Sequence, residues 1–232
     1  MTYWLDLIST EYFDFNVVAE LLPLLLRGAT ITVGVTLAGW ICAVLVGFPL
    51  LLLRRSALAP VRWLAGGAID FVRSTPILVQ IYFYFYVLPN VGIRLEPVTT
   101  GILALTIHYG CYMSEAYRSA LNSIHQGQWD AITALGFGKL DTYRHVILPQ
   151  MAPPMIPALG NFLILMFKDS PLLASIGVAE MMFYATGYSM DNFRYLEPIT
   201  IVGVIFLILS LVSAAAIRTL EAKVGHKWLG RF

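Results

Sequence analysis

The chain has 232 residues, 58% of them apolar, with 15 Lys and Arg against 14 Asp and Glu and a mean hydropathy of +0.74. This composition excludes an ordinary water-soluble domain. A net charge of +1 without a local basic patch gives no basis for nucleic-acid binding, and Cys42 and Cys111 lie inside apolar runs, where buried free thiols are expected rather than a disulfide or metal pair.

The first residues carry Asp6, Glu11, Asp14 and Glu20 against one base, Arg27, unlike the basic start of a cleaved signal peptide, so a short mature N-terminus is expected. Gly28 to Leu53 then runs 26 residues without a charge, about 39 Å as helix, enough for a first span. Arg54-Arg55 opens a loop into Val61 to Arg73, where Arg62, Gly66, Asp70 and Arg73 recur at helical spacing and share one face. The apolar run that follows, Pro76 to Leu88, covers 13 residues, about 20 Å, too short to cross alone. The amphipathic helix must share this crossing, with its polar face toward protein or a cavity and a break at Pro76.

Val98 to Tyr117 is a third span, interrupted by His108 and Glu115. Pro154 to Phe167 begins a fourth that runs into Lys168-Asp169 and an irregular stretch, and Pro198 to Ile217 is a fifth. Sorting the bases by loop places Arg54, Arg55, Arg62, Arg73, Arg118, Lys139, Arg144, Arg218, Lys223, Lys227 and Arg231 on one side. Only Arg27, Arg94, Lys168 and Arg194 remain for the other. The excess of positive charge on cytoplasmic loops then predicts an all-α integral membrane protein of about five spans, N-terminus outside and C-terminus in the cytoplasm. The aromatic run Tyr82 to Tyr86, just before Pro89, reads as an interfacial belt. His108 serves either helix packing or a pathway, and His125, His145 and His226 lack metal-ligand spacing, so no metal is assigned.

The region from Arg118 to Pro153 is far longer than a connector needs to be. It holds two short helical patterns. Trp129, Ile132 and Leu135 share a face in the first, Gly136-Phe137-Gly138 makes a turn, and the second runs from Leu140 to Leu148, where Pro149 ends it. A compact helical feature at the cytoplasmic surface is expected, either a partner-docking element or a plain lid.

Gly127-Gln128-Trp129-Asp130-Ala131-Ile132-Thr133-Ala134-Leu135-Gly136, followed by Val146-Ile147-Leu148-Pro149-Gln150, resembles the coupling-loop signature of ABC importer permeases. Asp130-Ala131-Ile132 stands where that family has Glu-Ala-Ala, which keeps the acid near the helix start. Arg73-Ser74-Thr75-Pro76-Ile77-Leu78-Val79-Gln80, Ser114-Glu115-Ala116-Tyr117-Arg118 and Lys168-Asp169-Ser170 extend the resemblance to the polar amino-acid uptake permeases over nearly the whole chain. Ser170-Pro171-Leu172, His108-Tyr109 and Phe193 to Pro198 look most like permeases for ectoine and hydroxyectoine within that family.

The resemblance implies one permease domain over residues 1–232 with the type I ABC importer fold and a coupling loop at about 118–153. It implies four kinds of partner: an identical or homologous permease, two ABC ATPases that bind ATP and Mg, an extracytoplasmic solute-binding protein, and the lipid bilayer. Gly127, Trp129, Asp130, Ala131, Leu135 and Gly136 are the expected coupling residues. No phosphate-cradling glycine-lysine motif occurs in the chain, so ATP hydrolysis is expected on the partner.

Charge at membrane depth is costly, which makes Glu115, Lys168 and Asp169 pathway candidates unless they only pair with one another. Arg73 and Arg118 are the alternative partners for Glu115. A zwitterionic solute needs a cation for its carboxylate and acidic or aromatic groups for its positive end. Arg73, Ser74, Thr75, Glu115, Lys168, Asp169 and Ser170 are therefore the expected substrate pathway, with the Ser74 and Thr75 hydroxyls beside the backbone that Pro76 breaks. The function expected is import of a small zwitterion, ectoine or hydroxyectoine before a polar amino acid. An autonomous carrier or channel is the alternative, and an intramembrane enzyme is disfavoured because no catalytic motif is evident.

Overall fold

The computed structural model describes residues 13–229, with side chains to residue 223. Asp6, Glu11 and Arg231 lie outside the described residues, as do the side chains of His226 and Lys227. The regular structure among the described residues is helical: α1 Phe15–Arg54, α2 Ala59–Ser74, α3 Ile77–Tyr82, α4 Pro97–Asn122, α5 Gln126–Ala134, α6 Leu148–Asp169, α7 Met181–Asn192 and α8 Leu196–Leu229.

Among the described residues, three helices are long and apolar enough to cross a membrane: Phe15–Arg54, Lys139–Ile176 and Leu196–Lys223. The broken pair Ala59–Ser74 and Ile77–Val91 makes a fourth if it counts as one span. Helix α4 has 26 residues, enough to cross, but its Thr, His, Ser, Glu and Arg side chains keep it below that hydropathy.

Contact clustering divides the chain into two compact units. In described residues, the first takes 13–39, Ile77–Ala104 and Leu165–Leu211, and the second takes Trp40–Pro76, Leu105–Ile164 and 212–229. The bases divide with them. Arg27, Arg94, Lys168 and Arg194 all belong to the first unit, whereas Arg54, Arg55, Arg62, Arg73, Arg118, Lys139, Arg144, Arg218 and Lys223 belong to the second.

In the first unit, α1 starts well before the Gly28 expected from charge alone. The Asp14 carboxylate accepts from Asn16 N at 2.8 Å and caps the helix. Val17, Leu21 and Leu25, each four residues apart, pack with Met181 and Ala185 of α7 and with Ile201 and Val202 of α8. Glu20 and Arg27 stay on the exposed side, so neither interrupts the helix. Glu180 caps α7 by accepting from Phe183 N at 2.8 Å, and its other oxygen faces the Thr32 hydroxyl at 3.4 Å. The stretch expected to be irregular after Lys168-Asp169 is a 3-10 helix, Ser170–Ile176, closed by Gly177 at φ 84°.

In the second unit, α1, α4 and α6 are joined by side-chain to backbone bonds. Trp40 Nε1 donates to Leu159 O at 2.9 Å, and Tyr117 OH donates to Val44 O at 3.0 Å. Helix α2 begins with a proline in its first turn and ends at Thr75, whose extended backbone (φ −104°, ψ 134°) obeys the restriction that Pro76 places on the residue before it. Only Ile69 of α2 is buried. The apolar Trp63, Leu64 and Phe71 are exposed, and Asp70 and Arg73 turn to ionic partners within the protein. This matches the amphipathic assignment made from the sequence.

Pro149 does not end a helix as expected. A π-helical stretch, Thr142–Ile147, leads straight into α6. The wider turn accommodates a residue without an N–H, and α6 continues through Pro153, Pro154 and Pro157 to Asp169.

Candidate functional site

Two features of the second unit concentrate the expected functional residues. The first is a cluster of charges contributed by α1, α2 and α4. Arg54, at the end of the apolar run, reaches Asp70 at 2.9 Å and Glu115 at 3.1 Å. Glu115 also meets Arg118 at 2.5 Å and Arg73 at 3.9 Å. Three guanidiniums therefore surround two carboxylates. The Glu115 side chain is the most enclosed of the five, at 13% exposure, which is tolerable for a carboxylate because three cations share its charge.

Of the expected pathway residues, the structure thus brings Arg73 and Glu115 together, and Glu115 pairs with both anticipated arginines. Ser74 and Thr75 flank the helix break, where the Thr75 hydroxyl donates to Phe71 O at 2.7 Å and so satisfies a carbonyl of the terminating helix. Lys168, Asp169 and Ser170 belong to the first unit. Lys168 is exposed. Ser170 is fully buried, and its hydroxyl donates to Phe167 O at 2.8 Å.

Arg54 and Tyr112 were missed by the sequence reasoning. Tyr112 OH donates to Arg73 O at 3.0 Å, and its ring stands beside His108, Tyr109 and Phe162. A base ending an apolar run and an aromatic three residues before an intramembrane acid were the available signals.

The second feature is the helical hairpin that follows α4. Helix α4 continues to Asn122 and α6 begins at Leu148, so the connection between the long helices is shorter than the 118–153 expected. His125 caps α5, its Nδ1 accepting from Gly127 N at 3.1 Å. Trp129 and Ile132 pack on the buried cluster of Ala120, Leu121, Ile124, Ile147 and Met151. Leu135 does not share that buried face, contrary to expectation, and is 73% exposed. It follows the last helical residue, and Gly136 at φ 66° turns the chain away.

The turn is a Schellman motif: Gly136 N donates to Thr133 O and Phe137 N to Ile132 O, both at 3.2 Å. A non-glycine residue would be strained there. One side of α5 is consequently anchored, while Asp130, Ala131, Leu135, Phe137 and Leu140 face outward. Exposed apolar side chains beside an acid form a surface suited to a protein partner.

Membrane-length helices, an anchored hairpin with an outward apolar edge and the Glu115 carboxylate enclosed among three arginines fit a transporter membrane subunit. The chain belongs to the family of binding-protein-dependent transport system inner membrane components, whose model matches residues 36–226. It is 38% identical over 205 residues, covering 88% of this chain and 89% of the relative, to a probable amino-acid ABC transporter permease protein of Sinorhizobium fredii. It is 35% identical to the glutamine transport system permease protein GlnP of Escherichia coli, covering 91% of this chain and 98% of that one.

Among solved structures, a crystal structure of an amino acid ABC transporter with histidines superposes with a TM-score of 0.85. The identity is 30%, covering 90% of this chain and 98% of that one. The inward-facing MetNI methionine ABC transporter, at 20% identity and a TM-score of 0.75 over 88% of this chain and 98% of that one, shares the fold. The chain is therefore a multi-pass inner-membrane permease subunit of a binding-protein-dependent transport system, with the type I ABC importer fold. It is a transport subunit rather than an enzyme, and works with an ABC ATPase and a solute-binding protein.

Proposed function

We propose that this permease moves a polar amino acid into the cytoplasm, crossing the membrane five times with its N-terminus outside and α5 at the cytoplasmic face. The separation of bases between the two units supports that orientation. Helix α4, too polar to face lipid, supplies the fifth crossing with its polar groups turned to protein.

The observation that carries the coupling role is the two-sided α5, held by Trp129 and Ile132 on one side and exposing Asp130, Ala131 and Leu135 on the other. In this account Gly127, Asp130, Ala131, Leu135 and Gly136 meet the ATPase and Trp129 transmits its movement to α4 and α6. Two ATPases holding ATP and Mg serve a pair of permeases, identical or homologous, and alternating access follows from different orientations of the pair.

For the solute, Arg73, Ser74, Thr75 and Glu115 in the second unit are pathway residues. Lys168, Asp169 and Ser170 are pathway residues of the first unit. Relatives named for amino acids favour a polar amino acid over ectoine or hydroxyectoine, the solutes suggested by Ser170-Pro171-Leu172. Uptake of labelled solute in cells expressing the complete transporter, with and without this chain, tests the assignment. Competition by glutamine and other polar amino acids is expected. Competition confined to ectoine and hydroxyectoine would replace the solute and leave the importer.

A further inference from the structure

Arg73 is held differently from the other arginines of the charge cluster. Arg54 and Arg118 reach carboxylates at between 2.5 and 3.1 Å, whereas Arg73 Nη1 stops 3.9 Å short of both Asp70 and Glu115. Its Nε is buried without a hydrogen-bond partner. The guanidinium lies instead over the ring of Tyr112, 5.0 Å from the centroid.

That ring is held by several neighbours. Its hydroxyl is tied to Arg73 O, and His108 and Phe162 stand 5.2 and 6.0 Å away. An aromatic face binds cations through its electron-rich surface. Here it holds a cation whose contacts with carboxylates are incomplete and whose side chain remains 34% exposed.

We propose that the Tyr112 face is the seat for the positively charged group of the transported solute, and that Arg73 occupies it in the empty permease. The inference rests on the assignment of Arg73 to the pathway. An arriving ammonium displaces the guanidinium, which closes the gap to Glu115 and Asp70, so one cation leaves the ring as another arrives. Uncharged and purely anionic solutes cannot displace it, which makes the seat a filter for amino-bearing solutes.

Equilibrium binding of tritiated L-glutamine, L-arginine and ectoine to the purified permease–ATPase complex, without binding protein, tests this directly. Tyr112→Leu is expected to weaken binding about tenfold and Tyr112→Phe, which keeps the ring, by about twofold or less. Arg73→Gln removes the competitor and is expected to tighten binding about threefold, opposite in sign to the loss of a merely structural arginine. Equal loss in Tyr112→Phe and Tyr112→Leu, or weaker or unchanged binding in Arg73→Gln, would overturn the proposal. Uptake of the same probes by cells carrying the complete wild-type transporter separates the two claims. Uptake of a probe that the complex does not bind overturns the seat alone; no uptake of any probe overturns the import assignment and the seat with it.

Discussion

Arg54 and Glu115 meet at 3.1 Å, Nη1 to Oε1, joining the end of α1 to α4 through a largely enclosed carboxylate. Replacing Glu115 by Ala leaves Arg54, Arg73 and Arg118 with Asp70 as their one acid in the cluster. We expect Glu115→Ala to cost roughly 2–4 kcal/mol. Asp70→Ala, at a side chain 56% exposed, should cost under about 1 kcal/mol. Thermal unfolding of the purified permease measures both, and equal losses would contradict the central place given to Glu115.

Gly28 lies where α1 passes α7. A Cβ there would stand 2.8 Å from Met181 N and 2.9 Å from Glu180 C, both backbone atoms that cannot swing aside. Gly28→Ala should therefore destabilise by about 1–3 kcal/mol. Gly34→Ala in the same helix meets nothing within 4 Å and should be neutral or stabilising by up to about 1 kcal/mol. Unfolding of the two variants in the same detergent is the comparison, with Gly34→Ala serving as the control for helix propensity.

Coupling should fail without loss of the protein in Gly136→Glu. The side chain strains a backbone at φ 66° by about 1–2 kcal/mol and places an acid beside the exposed edge. Membrane levels should stay within about twofold of wild type while solute-stimulated ATP hydrolysis falls at least about tenfold. Trp129→Ala should do the same by releasing α5 from the Leu121 and Ile147 cluster. Normal stimulation in both variants would remove the hairpin from the coupling path.

Much of this fold is written in local pattern. Apolar runs located the long helices, the spacing of Asp70 and Arg73 predicted their shared face, and the position of Gly136 marked the end of α5. What local pattern missed depended on distant partners. The α1 start follows from Asp14 capping and from Val17, Leu21 and Leu25 packing on α7 and α8, which charge counting along the chain cannot register. Leu135 fits the periodicity of Trp129 and Ile132, yet the helix ends before it, so its periodic position carries no burial. Pro149 reads as a breaker until the π-helical turn before it is known. In the charge cluster, Glu115 was legible as an intramembrane acid, while Arg54 and Tyr112 were not, because their roles arise from three helices meeting.

Glu180 provides a pH signature. Burial pushes its carboxyl above the usual value of 4.5, outweighing the backbone N–H groups of Met182 and Phe183 and the Thr32 hydroxyl that pull it down. A folded value raised above the unfolded one favours the protonated form. Its contribution is full below about pH 4.5 and is lost as pH rises through the folded value. As pH rises from about 4.5, wild type should lose melting temperature relative to Glu180→Gln, whose amide oxygen still accepts from Phe183 N. Parallel curves for the two proteins would show that Glu180 is not the source.

The most direct test of the whole account is solute uptake into proteoliposomes containing this permease and its ATPase, with ATP inside and binding protein outside. Polar amino-acid uptake is expected only when ATP, ATPase and binding protein are all present. Uptake at an undiminished rate by the permease alone would contradict the account and identify an autonomous carrier instead.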